Sequence, residues 1–368
     1  MTLSPAWQDC IAHALAHEVG WPREPADDLE RWGVHAADPP PFNRLRGPVQ
    51  ARGGVSGVVL QGGREVAAWG EPERADLTFS VAKTYLGLLA GVAHGQGLLP
   101  DVDEPVVARL PGIGFDSGHN RRITWRQLFE QTSEWAGSCF GLPDTVDRWR
   151  VVTHDPRPAG GKKGDTRPLQ EPGCYWEYND VRINQLALAL LHLFGRPLPE
   201  VFRDSLMRPL GASEGWSWQG YDDAWTELRG QRVQSVPGGS HWGAGVTISA
   251  RDQARLGQLV LAGGQHEGRS LIPAAWVQRM QQPCALAPFY GWLIWLNPCL
   301  DPCLNPCLNP QRRTFPGASV RSSLMVGAGG NYVWIEPEHD AVVVVRWLDG
   351  AGVEGFMRRA TVALAAQG

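Results

Sequence analysis

The spacing of apolar and polar residues changes several times along the chain. Residues 5–17 show helical spacing, and the two prolines of "WPREPADD" end that predicted helix. The following "ADPPPFNRLRGP" predicts a linker or a strap over the surface. "VSGVVLQGGREVAAWG" then places two β-rich runs on either side of Gly-Gly, which predicts a β-hairpin.

A second helical pattern begins directly after this hairpin. "LTFSVAKTYLGLLAGVAHGQG" has apolar residues around most of its circumference and stops at glycines, which predicts a buried helix. Ser80 then lies at the N-terminus of this helix. Lys83 follows one turn later on the same side, because residues three apart are neighbours on a helix.

The middle of the chain, residues 97–245, is rich in Trp, Gly and Pro and shows no clear strand alternation. Its best predicted helices are "WRQLFEQTSEW" and "VRINQLALALLHLFG". From residue 246 onward, "TISARDQARLGQLVLAGG" predicts a helix capped by Ser249.

Three strand-like runs follow, namely "YGWLIWLN", "SSLMVGAGGNYVWIEP" and "AVVVVRWLDG", and a hairpin-length "EPEHD" joins the last two. Strands at both ends with helices between predict an α+β fold, in which helices flank one antiparallel sheet. We expect an N-terminal extension over residues 1–54. The sheet part would comprise 55–96 and 246–368, and 97–245 would form a mainly helical insert of the same domain.

Composition is that of an ordinary globular protein, with 43% hydrophobic and 20% charged residues. The net charge of −4 argues against nucleic-acid or anionic-membrane partners. No apolar run is long enough to span a bilayer, and no basic residue precedes Arg23, so we expect neither a secretory signal nor a membrane anchor. Seven cysteines cannot all pair within one chain, and reduced thiols in the cytoplasm are expected.

A tetrapeptide repeat, "NPCLDPCLNPCLNP", occupies residues 297–310. Its cysteines recur at every fourth position, which raises the possibility of a metal site. Proline in each repeat prevents the helix that would align the thiols, and the run has no histidine to complete a zinc set. A low-complexity loop without metal is the favoured interpretation.

Lysine is scarce in this chain, because only Lys83, Lys162 and Lys163 are found among 34 basic residues. The pair in "GKKGD" is predicted to lie in a solvated loop. Lys83 instead forms an S-x-x-K motif with Ser80. Arginine stays protonated inside proteins, whereas a buried lysine can lose its proton, so a position that acts as a base requires lysine.

A serine nucleophile also needs a proton shuttle and two donors for the oxyanion. Tyr178 and Asp180 in "WEYNDVRINQLALALL" precede an apolar helix and are candidates for the shuttle region. The glycines of "VGAGGNYVWIEP" open a strand and permit close backbone approach to a bound carbonyl.

With these three motifs in this order, the chain resembles the serine hydrolases related to class C β-lactamases, which include D-alanyl-D-alanine peptidases and esterases. The motifs correspond to S-x-x-K at Ser80 and Lys83, Y-x-N as Tyr178 to Asp180, and K-T-G as Gly327 to Gly329. The resemblance covers about residues 55 to 350. It implies a β-lactamase/transpeptidase-like fold and acyl transfer through an acyl-enzyme, without cofactor or metal.

The resemblance also implies a role for each matching residue. Ser80 would be the nucleophile, Lys83 its base or hydrogen-bond relay, and Tyr178 the group that passes a proton to the leaving group. The amides of Ser80 and Gly330 would form the oxyanion hole. Further candidates for substrate contact are Asp180, Trp135, His241, Trp242, Gly329 and Asn331.

Each of these residues has a simpler interpretation. Ser80 and Asp180 are residue types that cap helices, and Tyr178 would then serve packing alone. His241 and Trp242 in "GGSHWGAG" fit a core or loop role equally well.

Three departures from the family pattern bear on the substrate. Asp180 replaces the usual asparagine, Gly327 replaces the lysine of lactam-active members, and Glu134 replaces the glycine of "T-S-G". Without the lysine cation, a neutral small ester or amide is a better expected substrate than a penicillin or a peptidoglycan stem. β-Lactamase or D-alanyl-D-alanine peptidase activity is the alternative within the enzyme class. A catalytically silent ligand-binding homologue is the alternative outside it.

Overall fold

The computed structural model describes residues 3–305 and 307–366. Its helices are α1 Pro5–Ala16, α2 Val81–Gly95, α3 Val106–Arg109, α4 Trp125–Phe129, α5 Asp180–Phe194, α6 Leu198–Phe202, α7 Ala250–Leu261, α8 Ala274–Met280 and α9 Val353–Ala365. Its strands are β1 Ser56–Gln61, β2 Arg64–Trp69, β3 Asp76–Leu77, β4 Ser138–Cys139, β5 Leu142–Pro143, β6 Ser217–Gln219, β7 Trp225–Leu228, β8 Gln231–Gln234, β9 Gly245–Ile248, β10 Gln265–His266, β11 Arg269–Ser270, β12 Trp295–Leu296, β13 Ser323–Gly327, β14 Asn331–Glu336 and β15 Ala341–Arg346. Within the described residues, no helix is long and apolar enough to cross a bilayer.

The main sheet is antiparallel and takes its strands from both ends of the chain. In the described part of the chain, six strands lie in the order β12-β13-β14-β15-β1-β2. Val342 and Val344 of β15 face the core formed with α2, α5 and α7, whereas Val343 and Val345 face the core formed with α1 and α9. Successive strand residues point to opposite faces, so an uninterrupted valine run suits a strand covered on both sides. The predicted sheet with flanking helices is confirmed.

One helix predicted in the middle of the chain is too long. This part of the chain also contains short strands, including the β7–β8 hairpin that turns at Arg229 and Gly230. Its strands are mostly polar and partly exposed, so they carry no apolar alternation. The helix predicted from residue 125 ends at Phe129, and Gln131 and Glu134 adopt left-handed φ values of 57° and 49°. These values interrupt any continuing helix.

The N-terminal segment packs against the rest of the structure. Helix α1 packs on α9, and the segment that follows brings Trp21 and Trp32 against Phe79. Phe79 has a left-handed φ of 51° immediately before Ser80. A non-glycine residue in that region costs on the order of 1 kcal/mol, and the surrounding aromatic packing holds it there.

The tetrapeptide repeat forms a loop whose leucines face inward. Leu300 is buried, and Leu304 and Leu308 pack partly buried against the core on the α1–α9 side of the sheet. Cys299, Cys303 and Cys307 are exposed. The described residues contain one group of side chains spaced to hold a metal ion, and none of these cysteines belongs to it. The four-residue period therefore serves leucine packing.

We expect the cysteines of this loop to be dispensable and its buried leucine to matter. Changing Cys299, Cys303 and Cys307 together to serine should alter the free energy of unfolding by less than about 0.5 kcal/mol per site. Leu300→Ala should cost about 2 to 4 kcal/mol, because it leaves a cavity. Urea unfolding measures both changes. Stoichiometric zinc in the parent protein, lost from the triple variant, would contradict the packing interpretation.

Candidate active site

Ser80 and Lys83 lie side by side at the start of helix α2. Ser80 occupies the N-cap position, but its side chain accepts no capping hydrogen bond from the helix. Lys83 Nζ donates to Ser80 Oγ at 2.8 Å, and both side chains are buried. Hydroxyl and ammonium are therefore within proton-transfer reach.

Asp180 contacts the same lysine from helix α5. The N-cap of α5 is Asn179, whose side chain accepts from two backbone amides, so the capping role considered for Asp180 falls to its neighbour. One Asp180 oxygen pairs with Lys83 Nζ, and the other accepts from Arg150 at 2.6 Å and from His241 Nδ1 at 3.0 Å. Burial opposes ionisation, yet the charges of Arg150 and Lys83 and the hydrogen bond from His241 hold the pKa of Asp180 well below its usual value.

A wider set of charges surrounds this pair. Lys163 Nζ contacts Asp38, lies 3.1 Å from Asp147, and is 3.3 Å from His241 Nε2. Asp147 also pairs with Arg150 at 3.2 Å. In the described residues, Lys83, Arg150 and Lys163 thus face Asp38, Asp147 and Asp180 around His241. The prediction that "GKKGD" is wholly solvated is wrong for Lys163.

Asp38, Asp147 and His241 offer ligand atoms near enough together for a metal ion. The Lys163 ammonium already contacts all three of these residues and supplies positive charge among them. Burial opposes ionisation of Asp147, but Arg150 and Lys163 lower its pKa below the usual value. An ion-paired cluster is therefore the better description of this group.

Tyr178 closes the site from another side. Lys83 Nζ lies 4.7 Å from its ring centroid, and the Arg150 guanidinium carbon lies 5.2 Å from it. Cations at this distance are attracted by the negative face of an aromatic ring. The ring is buried against the cluster, and Tyr178 also lines the cleft that gives access to Ser80.

This cleft has a volume of about 450 Å³ and is mainly apolar. Ser80, Tyr178 and His241 line it together with residues 327–330. The remaining walls come from the N-terminal segment, from the 150–154 loop and from the sheet; they include Val19, Trp21, Val34, Ala37, Val151, Val152, His154, Trp295, Val326, Tyr332 and Leu348. A mainly apolar pocket with polar side chains grouped near Ser80 suits a small organic ligand.

The turn between β13 and β14 approaches the nucleophile closely. A Cβ atom on Gly327 would lie 2.1 Å from the carbonyl oxygen of Thr78, two residues before Ser80. A Cβ on Gly330, whose φ is 72°, would lie 1.7 Å from the carbonyl oxygen of Leu348. Glycine at position 327 therefore has a steric cause, because any side chain there would displace this turn.

Asn331 and Arg346 brace this turn from below. Asn331 Nδ2 donates to the Ala328 carbonyl at 2.8 Å, and its oxygen accepts from Arg346. Arg346 also donates to the carbonyl oxygens of Ile248 and Leu77. Asn331 does not line the cleft, so its observed contacts are those of a structural support for Gly329 and Gly330.

Two other candidates from the sequence lie outside the cleft lining. Trp135 is buried and donates to the Gly114 carbonyl at 3.3 Å. Trp242 is buried and donates to Asp38 at 2.6 Å, so it touches the charged cluster rather than the cleft.

Sequence reasoning missed Asp38, Arg150, Lys163 and Gly239. A Cβ on Gly239 would lie 3.1 Å from Lys83 Nζ and 3.4 Å from Ser80 Oγ, so this glycine leaves the space beside the nucleophile open. The scarcity of lysine was a usable signal for Lys163. The other three residues are common types in loops, and their spacing along the chain carries no signal.

Glu134 has its own explanation. Two nitrogens of Arg167 donate to its carboxylate at 2.6 and 2.7 Å, and Arg182 donates at 3.0 Å. Burial opposes ionisation, yet these arginines lower the pKa of Glu134 below its usual value. The ion pairs hold a residue with left-handed φ where glycine is the usual occupant.

Comparison with known proteins identifies the family of this chain. Residues 42–367 match the family model for β-lactamase. The chain belongs to the β-lactamase family. A comparison with curated protein sequences gives no significant match.

Solved structures of this family share its β-lactamase/transpeptidase-like fold. A penicillin-binding protein homologue from Caulobacter crescentus is 14% identical, with 99% of each chain covered and a TM-score of 0.58. A D-stereospecific amidohydrolase from Streptomyces sp. is 16% identical, with 81% of this chain and 92% of that chain covered and a TM-score of 0.52. EstCE1, described as a hydrolase with promiscuous acyltransferase activity, is 17% identical, with 84% and 93% covered and a TM-score of 0.56. At these identities the likeness establishes the fold, and the fold class predicted from the sequence is confirmed.

The space at Gly239 generates a direct test of this geometry. Gly239→Ala should slow reaction at Ser80 by about tenfold or more, because the new methyl group crowds both reacting atoms and shifts them from their contact. The rate of covalent labelling of Ser80 measures this effect. Gly118→Ala is the matched control, since a Cβ there meets nothing within 4 Å. Equal labelling of both variants would contradict the described placement of Gly239.

His154 gives a prediction for stability against pH. Its Nε2 lies 3.0 Å from the Tyr332 hydroxyl, and burial lowers the pKa of His154 to about 4. In the unfolded chain, the pKa of His154 has its ordinary value of about 6.5. As pH falls, the unfolded state is therefore protonated before the folded state. Stability from this residue is therefore complete above about pH 7 and decreases as pH falls toward 4.

Because part of the His154 ring faces the cleft, we expect a loss of about 1 to 2 kcal/mol between pH 7.5 and pH 5. His154→Gln should remove that part of the slope while keeping a polar group near Tyr332. Urea unfolding at both pH values measures the difference. Identical pH slopes for parent and variant would show that His154 is not held neutral.

Proposed function

We propose that this protein is a serine hydrolase that cleaves a small neutral ester or amide through an acyl-enzyme, without metal or cofactor. The observation that carries the proposal is the 2.8 Å contact between Ser80 Oγ and Lys83 Nζ, buried at the start of α2 and open to an apolar cleft. A serine with an adjacent amine is the arrangement that nucleophilic catalysis requires.

The proposed chemistry assigns one step to each group. Ser80 Oγ bonds to the substrate carbonyl carbon, and its proton passes to Lys83 once that amine is neutral. The amides of Ser80 and Gly330 would stabilise the oxyanion, aided by the positive end of the α2 dipole. The carbonyl C–O or C–N bond would then break, while Tyr178 gives a proton to the departing alcohol or amine and regains one from Lys83. Water would then attack the acyl-enzyme and restore Ser80.

The charges around the cleft favour a neutral substrate. Gly327 offers no cation on β13, and Arg346 already donates to three protein oxygens. Arg150 and Lys163 line the cleft, but both are paired with buried aspartates. A substrate carboxylate would have to compete with these pairs. The fold is shared with a protein described as an amidohydrolase and with one described as a promiscuous acyltransferase, which supports the ester or amide class.

One observation favours the alternative of a silent binding protein. Lys83 Nζ pairs with the Asp180 carboxylate and donates to Ser80, whereas a general base has to accept the proton of Ser80. An asparagine at this position would exert no such charge. Reaction with a fluorophosphonate separates the two functions, because only an activated serine is phosphonylated.

We expect stoichiometric fluorophosphonate labelling at Ser80 that Ser80→Ala abolishes. Mass spectrometry of the labelled peptide identifies the site. Complete inertness of the folded parent protein over the pH range 6 to 10 would support the silent alternative.

Among substrates, short aryl esters should exceed penicillins and a chromogenic cephalosporin in kcat/KM, because Arg150 and Lys163, the lysine and arginine that line the cleft in the described part of the chain, are already paired with aspartates. Parallel steady-state assays of both classes measure this preference. A tenfold preference for any common β-lactam would favour β-lactamase or D-alanyl-D-alanine peptidase activity instead.

Lys83→Arg tests the base. Arginine preserves the charge opposite Asp180 but stays protonated, so acylation should slow by roughly 10² to 10⁴, the size of a general-base contribution. The matched control is Lys162→Arg, because Lys162 is exposed and precedes Lys163 in the chain. This variant should react as the parent does. Thermal unfolding confirms that both variants fold. An acylation rate for Lys83→Arg within threefold of the parent would rule out Lys83 as the base.

A further inference from the structure

The charged cluster contains a residue from outside the β-lactamase match. The match begins at residue 42, whereas Asp38 lies before it and has a fully buried side chain. Asp38 accepts from Trp242 Nε1 at 2.6 Å and from His241 Nε2 at 2.9 and 3.0 Å, and it pairs with Lys163. Burying a carboxylate is costly unless its partners compensate, and here they are all residues of the candidate site.

His241 connects this carboxylate to the nucleophile. Its Nε2 faces Asp38, while its Nδ1 lies 3.0 Å from one oxygen of Asp180. Since a carboxylate only accepts, Nδ1–H donates to Asp180. The other Asp180 oxygen pairs with Lys83, which donates to Ser80. Five side chains therefore form one unbroken series of contacts from the N-terminal segment to the reactive hydroxyl.

Asp38 fixes the orientation of the imidazole. A histidine ring can rotate about its side-chain bonds, and a partner on the far nitrogen restricts that rotation, as carboxylate partners do for metal-bound histidines. With Nε2 held, Nδ1 stays directed at Asp180, whose second oxygen is then directed at Lys83. Arg150 donates to the same Asp180 oxygen but approaches it from the 150–154 loop. It therefore does not fix the orientation of the His241 ring.

We propose that Asp38 and His241 are positioning residues that hold Asp180 against Lys83, so that the N-terminal segment completes the catalytic network of the hydrolase. This inference rests on the proposed function. The same segment supplies Val19, Trp21, Val34 and Ala37 to the cleft wall, so its contribution reaches both the substrate surface and the charged cluster.

The first experiment compares Asp38→Asn with the parent protein. Asparagine keeps the shape and removes the charge, so kcat for a short aryl ester should fall about tenfold through misplacement of Lys83. KM should change less than twofold, because Asp38 does not line the cleft. Asp252→Asn is the control: Asp252 is also buried near the start of α7, and its carboxylate accepts from the backbone amide and the hydroxyl of Ser213, without contact to the site.

A double-mutant cycle tests whether Asp38 acts through His241. In a His241→Asn background the ring no longer connects the two aspartates, so adding Asp38→Asn should lower kcat less than twofold further. Independent, multiplying effects of the two substitutions would overturn the proposal. So would an Asp38→Asn variant that labels Ser80 within twofold of the parent rate.

A pair of histidine variants keeps the proposal testable if Asp38→Asn fails to fold. The amide nitrogen of asparagine imitates Nδ1 and keeps a donor for Asp180, whereas that of glutamine imitates Nε2 and keeps the contact with Asp38. His241→Asn should therefore label faster than His241→Gln, and equal or reversed rates would overturn the proposal. A parent protein that never labels would instead refute the proposed hydrolase function, so the two failures are distinguishable.

Discussion

The ion pair between Lys83 and Asp180 constrains the rest of the site. Both groups are buried, and an unpaired charge at that depth would cost several kcal/mol. Arg150 and His241 satisfy the second Asp180 oxygen, and each in turn contacts a further carboxylate. The pair is therefore stable only inside a cluster whose members compensate one another's buried charges. Segments far apart in sequence must close around it before Ser80 gains its neighbours.

Two strained residues show how the surrounding structure sustains this arrangement. Phe79 precedes the nucleophile with a left-handed backbone, and the rings of Trp21, Trp32 and Trp347 pack around it. Glu134 holds the same conformation through its arginine partners. Aromatic packing in one case and ion pairing in the other offset the backbone cost. The backbone conformation that leads into Ser80 thus depends on the N-terminal segment as much as on helix α2.

Gly327 affects both the charge beside the cleft and the packing of β13. Where the family motif has a lysine, Gly327 carries no charge. This difference disfavours substrates that bear a carboxylate. Within the fold, glycine is the only kind of residue that lets β13 approach the Thr78 carbonyl without displacement. The steric constraint and the altered charge are one fact, because a lysine here would require a different turn. The absence of a charged side chain at position 327 and the tight packing of β13 against the residues before Ser80 are therefore linked in this chain.

The amino-acid sequence by itself determined the long helices, the strands of the main sheet and the pairing of Ser80 with Lys83. Residues three apart on a helix must be neighbours, so helix geometry alone predicts the Ser80–Lys83 pair. Successive valines of β15 must point to opposite faces of the sheet, so strand geometry alone predicts that they reach both cores. The family motifs likewise indicated the sheet with its flanking helices. Asp38, Lys163 and Gly239 were decided only by the tertiary structure. They lie in loops that carry no periodic pattern. Asp38 and Lys163 join the cluster around His241 because burial of charge requires partners from whichever segments fold nearest. Gly239 lies beside Lys83 and Ser80 because the folded chain brings its loop there.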